Sequence, residues 1–158
     1  DVRDVLRNMT SHPYGYKHVG DDGVARSFAP NGTVIDAVGL SNEQLMKVVL
    51  FRKDPNERKY LMDLWKNVSG NSVPHHARYS PSEDLLPVFM KNSTLAEELK
   101  RKSEDQKARY GQSPNKRDSV LDPNVVCFDI ICYNRTTCIW FECIDCVVYD
   151  RFHGTNCI

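Results

Sequence analysis

No cysteine occurs in the first 126 residues of this 158-residue chain, and no lysine in the last 41. No run of 18 apolar residues is present, which excludes a membrane-spanning helix. G-x-S-x-G, H-E-x-x-H and a phosphate-cradling glycine loop are all missing, so the common signatures of serine hydrolases, zinc proteases and nucleotide-binding enzymes find no support. Net charge is zero. Neither nucleic acid nor an anionic membrane surface therefore gains bulk attraction to the chain. No cofactor is expected. The chain begins at Asp1 without a signal peptide, and the expectation is that one is removed before the mature protein acts.

All six cysteines lie in the last 32 residues, at Cys127, Cys132, Cys138, Cys143, Cys146 and Cys157. An even number packed into a short tail reads as a disulfide framework in a chain that meets an oxidising compartment. Five N-x-S/T sequons stand at Asn8, Asn31, Asn67, Asn92 and Asn134. With eleven asparagines in the chain and average Ser and Thr content, chance would supply about one or two. The excess predicts a glycosylated, secreted, extracellular protein. Three bridges allow fifteen connectivities, and spacing does not choose among them. Zinc is the alternative, through Cys143-x2-Cys146 completed by Cys127, Cys132, Cys138 or His153, but two short ligand pairs at regular separation are not seen.

Charge divides the chain at the same place. Residues 1–117 carry 19 basic and 15 acidic side chains, whereas 118–158 carry only Arg135 and Arg151 against six carboxylates. Three units follow: a mainly helical region over 1–110 (a candidate pro-domain), a linker over 111–124, and a cysteine-rich module over 125–158. Within the linker, Lys116-Arg117 is a dibasic pair of the kind cut by secretory proteases. Cleavage there would separate all the cysteines from the rest. Lys100-Arg101-Lys102 is also basic but is expected on a helix.

Local signals place the elements. Val2, Val5, Leu6 and Met9 sit at helical spacing. His12 to Asp22 reads as turn-like, with Pro13, Gly15 and Gly20. Val24–Ala29 and Thr33–Val38 flank Pro30-Asn31-Gly32, a hairpin pattern. Ser41 and Gln44 form a capping-box pattern, and Asp54-Pro55-Asn56-Glu57 is a second helix start whose helix puts Tyr60, Leu61, Leu64, Trp65 and Val68 on one face. Ser80-Pro81-Ser82-Glu83 opens a third helix that Pro87 divides. Thr94–Tyr110 is a fourth, with Leu95, Ala96 and Leu99 as its few apolar residues, a second half read as solvated, and Glu97/Arg101 and Glu98/Lys102 pairs. Val125–Cys132 and Thr137–Tyr149 are rich in Val, Ile, Phe and Trp and read as strands. The expected class is α+β: a helical N-terminal region followed by a small disulfide-bonded β-rich module.

This plan resembles the small cysteine-rich secreted proteins of filamentous fungi, many of which act as effectors on a host. The resemblance rests on the Lys116-Arg117 pair and the cluster from Cys127 to Cys157. It implies an effector or toxin-like protein, not an enzyme, acting by binding a host protein, a receptor or a cell-wall glycan. Trp140, Phe141, Tyr149 and Phe152 are the candidate contact residues, since a module this small can bury only some of them. The alternative is a secreted, ribonuclease-like hydrolase using His75 or His76 as acid and base. His12, His18 and His153 are read as solvated.

Overall fold

The computed structural model describes residues 1–111, 126–149 and 155–158. The fold is α+β. Its described strands form one five-stranded sheet in the order β3-β2-β1-β4-β5. The strands are β1 (Tyr16–Val19), β2 (Val24–Phe28), β3 (Val34–Gly39), β4 (Cys146–Tyr149) and β5 (Thr155–Cys157). β1, β2 and β3 are an antiparallel meander, and β5 runs antiparallel to β4. β1 and β4 pair in parallel, with Lys17 opposite Val147 and Val19 opposite Tyr149. The C-terminal segment therefore extends the sheet that the N-terminal region begins.

Strand alternation directs each sheet face to its own core. On one face Val19, Ala25, Val147 and Tyr149 meet the helices α1 (Val2–Asn8), α2 (Asn42–Val49) and α3 (Pro55–Trp65), through Leu6, Leu45, Leu61 and Trp65. On the other, Tyr16, Phe28 and Val148 meet Phe89 of α5 (Val88–Lys91), Leu95 and Leu99 of α6 (Ser93–Gly111), and the bridged cysteines. Each fully buried Leu or Phe contributes about 1.5–3 kcal/mol relative to exposure.

The helix starts follow the local chemistry. At α2 the Ser41 hydroxyl accepts from the Gln44 amide, and the Gln44 side chain accepts from the Ser41 amide. At α3 the Asp54 carboxylate accepts from the Asn56 and Glu57 amides, with Pro55 at the first position. In the β2–β3 turn Gly32 takes φ +84°, where a side chain would be strained. α6 buries the stripe Leu95, Leu99, Ser103 and Gln106 at spacings of three and four. Glu98 and Lys102 pair on its wet side at 2.7 Å, while Arg101 pairs with Asp105. Among the described residues no helix is long and apolar enough to cross a membrane.

Two charged groups are carried into the interior with partners. Arg26 on β2 makes a bidentate pair with Asp22 at 2.7 and 3.1 Å, and its Nε donates to the Arg78 carbonyl of α4 (His75–Tyr79) at 2.7 Å. Lys17 on β1 is ion-paired with buried Asp145, and its Nζ donates to the Ser11 hydroxyl at 2.7 Å. Charges this deep persist only when paired and hydrogen-bonded.

Several sequence expectations need correction. The turn-like stretch 12–22 contains β1. Its polar Lys17 and His18 hide the strand signal, although both are fully buried. His18 is thus no solvated histidine; its ring lies 6.3 Å from that of Phe28. Of the expected strand Val125–Cys132, the described residues 126–132 form no strand but carry a 3-10 turn over Cys127–Asp129. The expected strand over Thr137–Tyr149 begins as a helix, α7 (Arg135–Trp140), and only Cys146–Tyr149 is extended. β-branched Thr136, Thr137 and Ile139 disfavour that helix locally. Tertiary contacts override them: the Arg135 amide donates to the Gly15 carbonyl at 2.8 Å, and Cys138 is bridged to Cys157. Helical propensity appears in 80–89 only as a 3-10 turn over Glu83–Leu85, before Pro87 opens α5.

Candidate ligand cleft

The six cysteines form three bridges, Cys127–Cys143, Cys132–Cys146 and Cys138–Cys157. All three lie within the C-terminal segment. The sulfurs of Cys132, Cys138 and Cys146 come within 4.8 Å of one another. Each is already spent in a disulfide, so the zinc alternative has no thiolate to use.

The bridges hold the turn before α7 against the sheet, and other bonds fix it from outside. Ser103 and Thr137 share a hydroxyl hydrogen bond at 2.8 Å, Gln106 of α6 bonds both backbone groups of Ile131, and the Thr136 hydroxyl donates to the Pro13 carbonyl at 2.7 Å. This places Tyr133 and Asn134 across from the loop that leads into β1. Between them opens a cleft of about 580 Å³, within the usual size for a small-ligand site.

The walls come from four separate stretches of chain. Tyr14 and Tyr16 flank Gly15; Asn31 and Gly32 belong to the β2–β3 turn; Phe89 and Lys91 end α5; Tyr133 and Asn134 come from the tail. Tyr16 forms the floor. Its ring stacks on Phe28 at 5.5 Å and meets Phe89 edge-on at 4.7 Å, while Phe89 lies 6.2 Å from Tyr133. Burial pushes the Tyr16 phenol well above its ordinary range, and the nearby Tyr133 phenol pushes it further. Tyr16 thus stays a neutral hydrogen-bonding group at any physiological pH. Tyr14 stands at the mouth, 61% exposed. The described lining combines aromatic faces with amides, hydroxyls and one ammonium, and includes no carboxylate or histidine. Such a surface can stack against the apolar C–H face of a sugar ring while bonding its hydroxyls.

The residues expected from sequence fall elsewhere. Trp140 is 40% exposed at the end of α7, next to exposed Ile139. Phe141 and Tyr149 are buried, at 4% and 1%. Both therefore serve the core; as contact residues they would have to leave it. Phe152, Lys116 and Arg117 lie outside the described residues, as does His153. His75 and His76 are exposed on α4, with the His75 ring 5.0 Å from Tyr79, and neither lines the cleft. The sequon asparagines Asn8, Asn31, Asn67 and Asn92 are exposed and Asn134 is half-buried. Among the tail's carboxylates, Asp145 is sequestered by Lys17 and Asp129 pairs with Lys53. The cleft itself was not anticipated. The one local hint was Tyr14-Gly15-Tyr16, two aromatics around a glycine that no helix or strand pattern claimed.

No protein-family profile matches the chain, and no solved structure matches it. A similarity does exist to a curated protein, the "Lactobacillus up-regulated protein" of Emericella nidulans. It is 50% identical over 72 residues, which span 44% of this chain and 41% of that protein.

Proposed function

We propose that this chain is a secreted, disulfide-bonded, effector-like protein that acts by binding, and that its ligand is a cell-wall glycan held in the tyrosine cleft. The observation that carries this reading is the cleft between Tyr14, Tyr16, Phe89 and Tyr133, whose aromatic faces, amides and hydroxyls, with Lys91 as the one charged group of the described lining, suit a sugar. A bridged scaffold supports it, because a preformed site loses less entropy on association. The resemblance to small secreted effectors favours binding over turnover. The name of the Emericella nidulans protein ties that protein's expression to Lactobacillus, which makes bacterial peptidoglycan a glycan to test beside fungal and plant polymers.

The test is co-sedimentation of the intact protein with insoluble chitin, β-1,3-glucan, cellulose and peptidoglycan. One polymer should pull the protein down. Tyr14→Ala and Tyr133→Ala should each weaken that association about tenfold, the loss of roughly 1.4 kcal/mol expected from one stacking contact. His75→Ala, His76→Ala and Trp140→Ala should leave it unchanged. If both tyrosine variants sediment like the parent, the cleft is not the site. If Trp140→Ala alone abolishes binding, the glycan contact lies on α7 rather than in the cleft; if no polymer sediments the protein, the partner is a host protein or receptor.

A further inference from the structure

Two of the five sequons face the same cleft. Asn31 and Asn134 are remote in sequence, yet both line it, one on the β2–β3 turn and the other immediately before α7. Asn8, on α1, and Asn67, beyond α3, do not, and Asn92 is itself outside the lining although its neighbours Lys91 and Ser93 belong to it. We propose that N-glycans on Asn31 and Asn134 stand at the mouth of the cleft and regulate access to it. This rests on the reading of the cleft as a sugar site, since a surface that stacks a foreign sugar also stacks the chain's own.

The local geometry is compatible with modification at both places. In the turn, the Asn31 side-chain Oδ1 accepts from the Thr33 backbone amide at 3.0 Å. A glycan attaches through the amide nitrogen instead, so turn and glycan coexist. The Thr33 hydroxyl, the second half of that sequon, is on an exposed residue. At the other sequon the Thr136 hydroxyl is committed to the Pro13 carbonyl. Asn134 must therefore be modified before the tail closes onto the sheet, and its glycan then emerges beside Tyr133, the residue directly before it in the chain. Tyr133 and Asn134 both line the cleft, so that glycan is anchored in its wall. The sugars compete with an external ligand for Tyr14 and Tyr133, so unmodified protein binds more tightly than modified protein.

The experiment uses full-length protein secreted from a eukaryotic host. Peptide mass spectrometry measures occupancy at each sequon. Hydroxyl-radical footprinting then compares Tyr14 and Tyr133 before and after enzymatic glycan release, with Tyr60 and Tyr79 as references, and co-sedimentation compares both forms. The expected result is occupancy at both sites, severalfold faster labelling of Tyr14 and Tyr133 after release, and tighter polysaccharide binding. Asn31→Gln with Asn134→Gln should reproduce the released state, whereas Asn8→Gln and Asn67→Gln should not. An unoccupied Asn31 or Asn134, or labelling that does not change on release, overturns the inference. Sedimentation of neither form overturns the ligand reading instead, while the labelling still decides whether the glycans cover the cleft.

Discussion

Lys17 holds its ammonium in the interior of the sheet, where an unpaired charge would cost several kcal/mol. Burial pulls its pKa below the ordinary lysine range. The Asp145 carboxylate and its hydrogen bond push the other way, and Arg135 adds to the lowering. Asp145 in turn accepts from Ser11 at 3.1 Å and faces Arg135 at 3.5 Å. The group therefore joins the loop before β1 to the loop before β4, and the two strands it serves are the parallel pair. Removing one member strands the other. Asp145→Asn leaves Lys17 and Arg135 without a counter-charge and should destabilise the fold by about 3–5 kcal/mol. Lys17→Met combined with Asp145→Asn removes the stranded ammonium and should recover part of that loss. Urea unfolding of both variants measures the difference. If the double variant is no more stable than the single one, the stranded Lys17 ammonium is not what destabilises Asp145→Asn.

At the scale of elements, what could be read in advance was what the chain settles locally. The capping box at Ser41, the Asp54-Pro55 start, the Asn31-Gly32 hairpin and the long α6 each depend on residues within one turn of each other, although the second half of α6, expected to be solvated, buries Ser103 and Gln106. β1 and α7 depend on partners far away. Polar β1 is a strand because β2 and β4 flank it, and α7 is a helix because Gly15 receives its first amide and Cys157 ties its second turn. The cleft was illegible for the same reason, as its four aromatic rings come from three stretches of chain. α7 also ends in a way that sequence concealed. Glu142 takes φ 60°, the left-handed conformation in which glycine commonly closes a helix. Its amide donates to the Ile139 carbonyl at 3.0 Å, and the Cys143 amide reaches back to Cys138 at 2.9 Å. Glutamate is strained there, and its side chain is exposed. Glu142→Gly should accordingly stabilise the protein by about 0.5–1 kcal/mol, read as a higher midpoint in thermal unfolding. A lower midpoint would mean that the Glu142 side chain makes a contact worth more than the strain.

For the whole molecule, the question is what cleavage at Lys116-Arg117 would do. Sequence alone predicts release of a cysteine-rich peptide. The sheet argues for another outcome. β4 pairs with β1 in parallel over Lys17, His18 and Val19, and the tail adds Val147 and Tyr149 to one core and Val148 to the other. Ion pairs cross the boundary as well, from Lys17 to Asp145 and from Lys53 to Asp129. No bridge crosses it, because all three disulfides join cysteines between 127 and 157. A nicked protein is therefore held by non-covalent burial alone, yet by contacts central to both cores. After digestion with a kexin-type protease, the two fragments should elute together on native size exclusion. In concentrated urea they should separate without any reductant, with the tail fragment six daltons lighter than its fully reduced mass, one hydrogen lost from each of six cysteines. Strand pairing costs loop-closure entropy that the nick relieves only in the unfolded state, so the nicked complex should also melt at a lower temperature than the intact chain. If the tail instead elutes alone under native conditions and keeps its bridges, it folds independently of β1. The N-terminal region would then be a removable pro-segment, and a ligand site that needs Tyr14 and Tyr16 could not survive maturation.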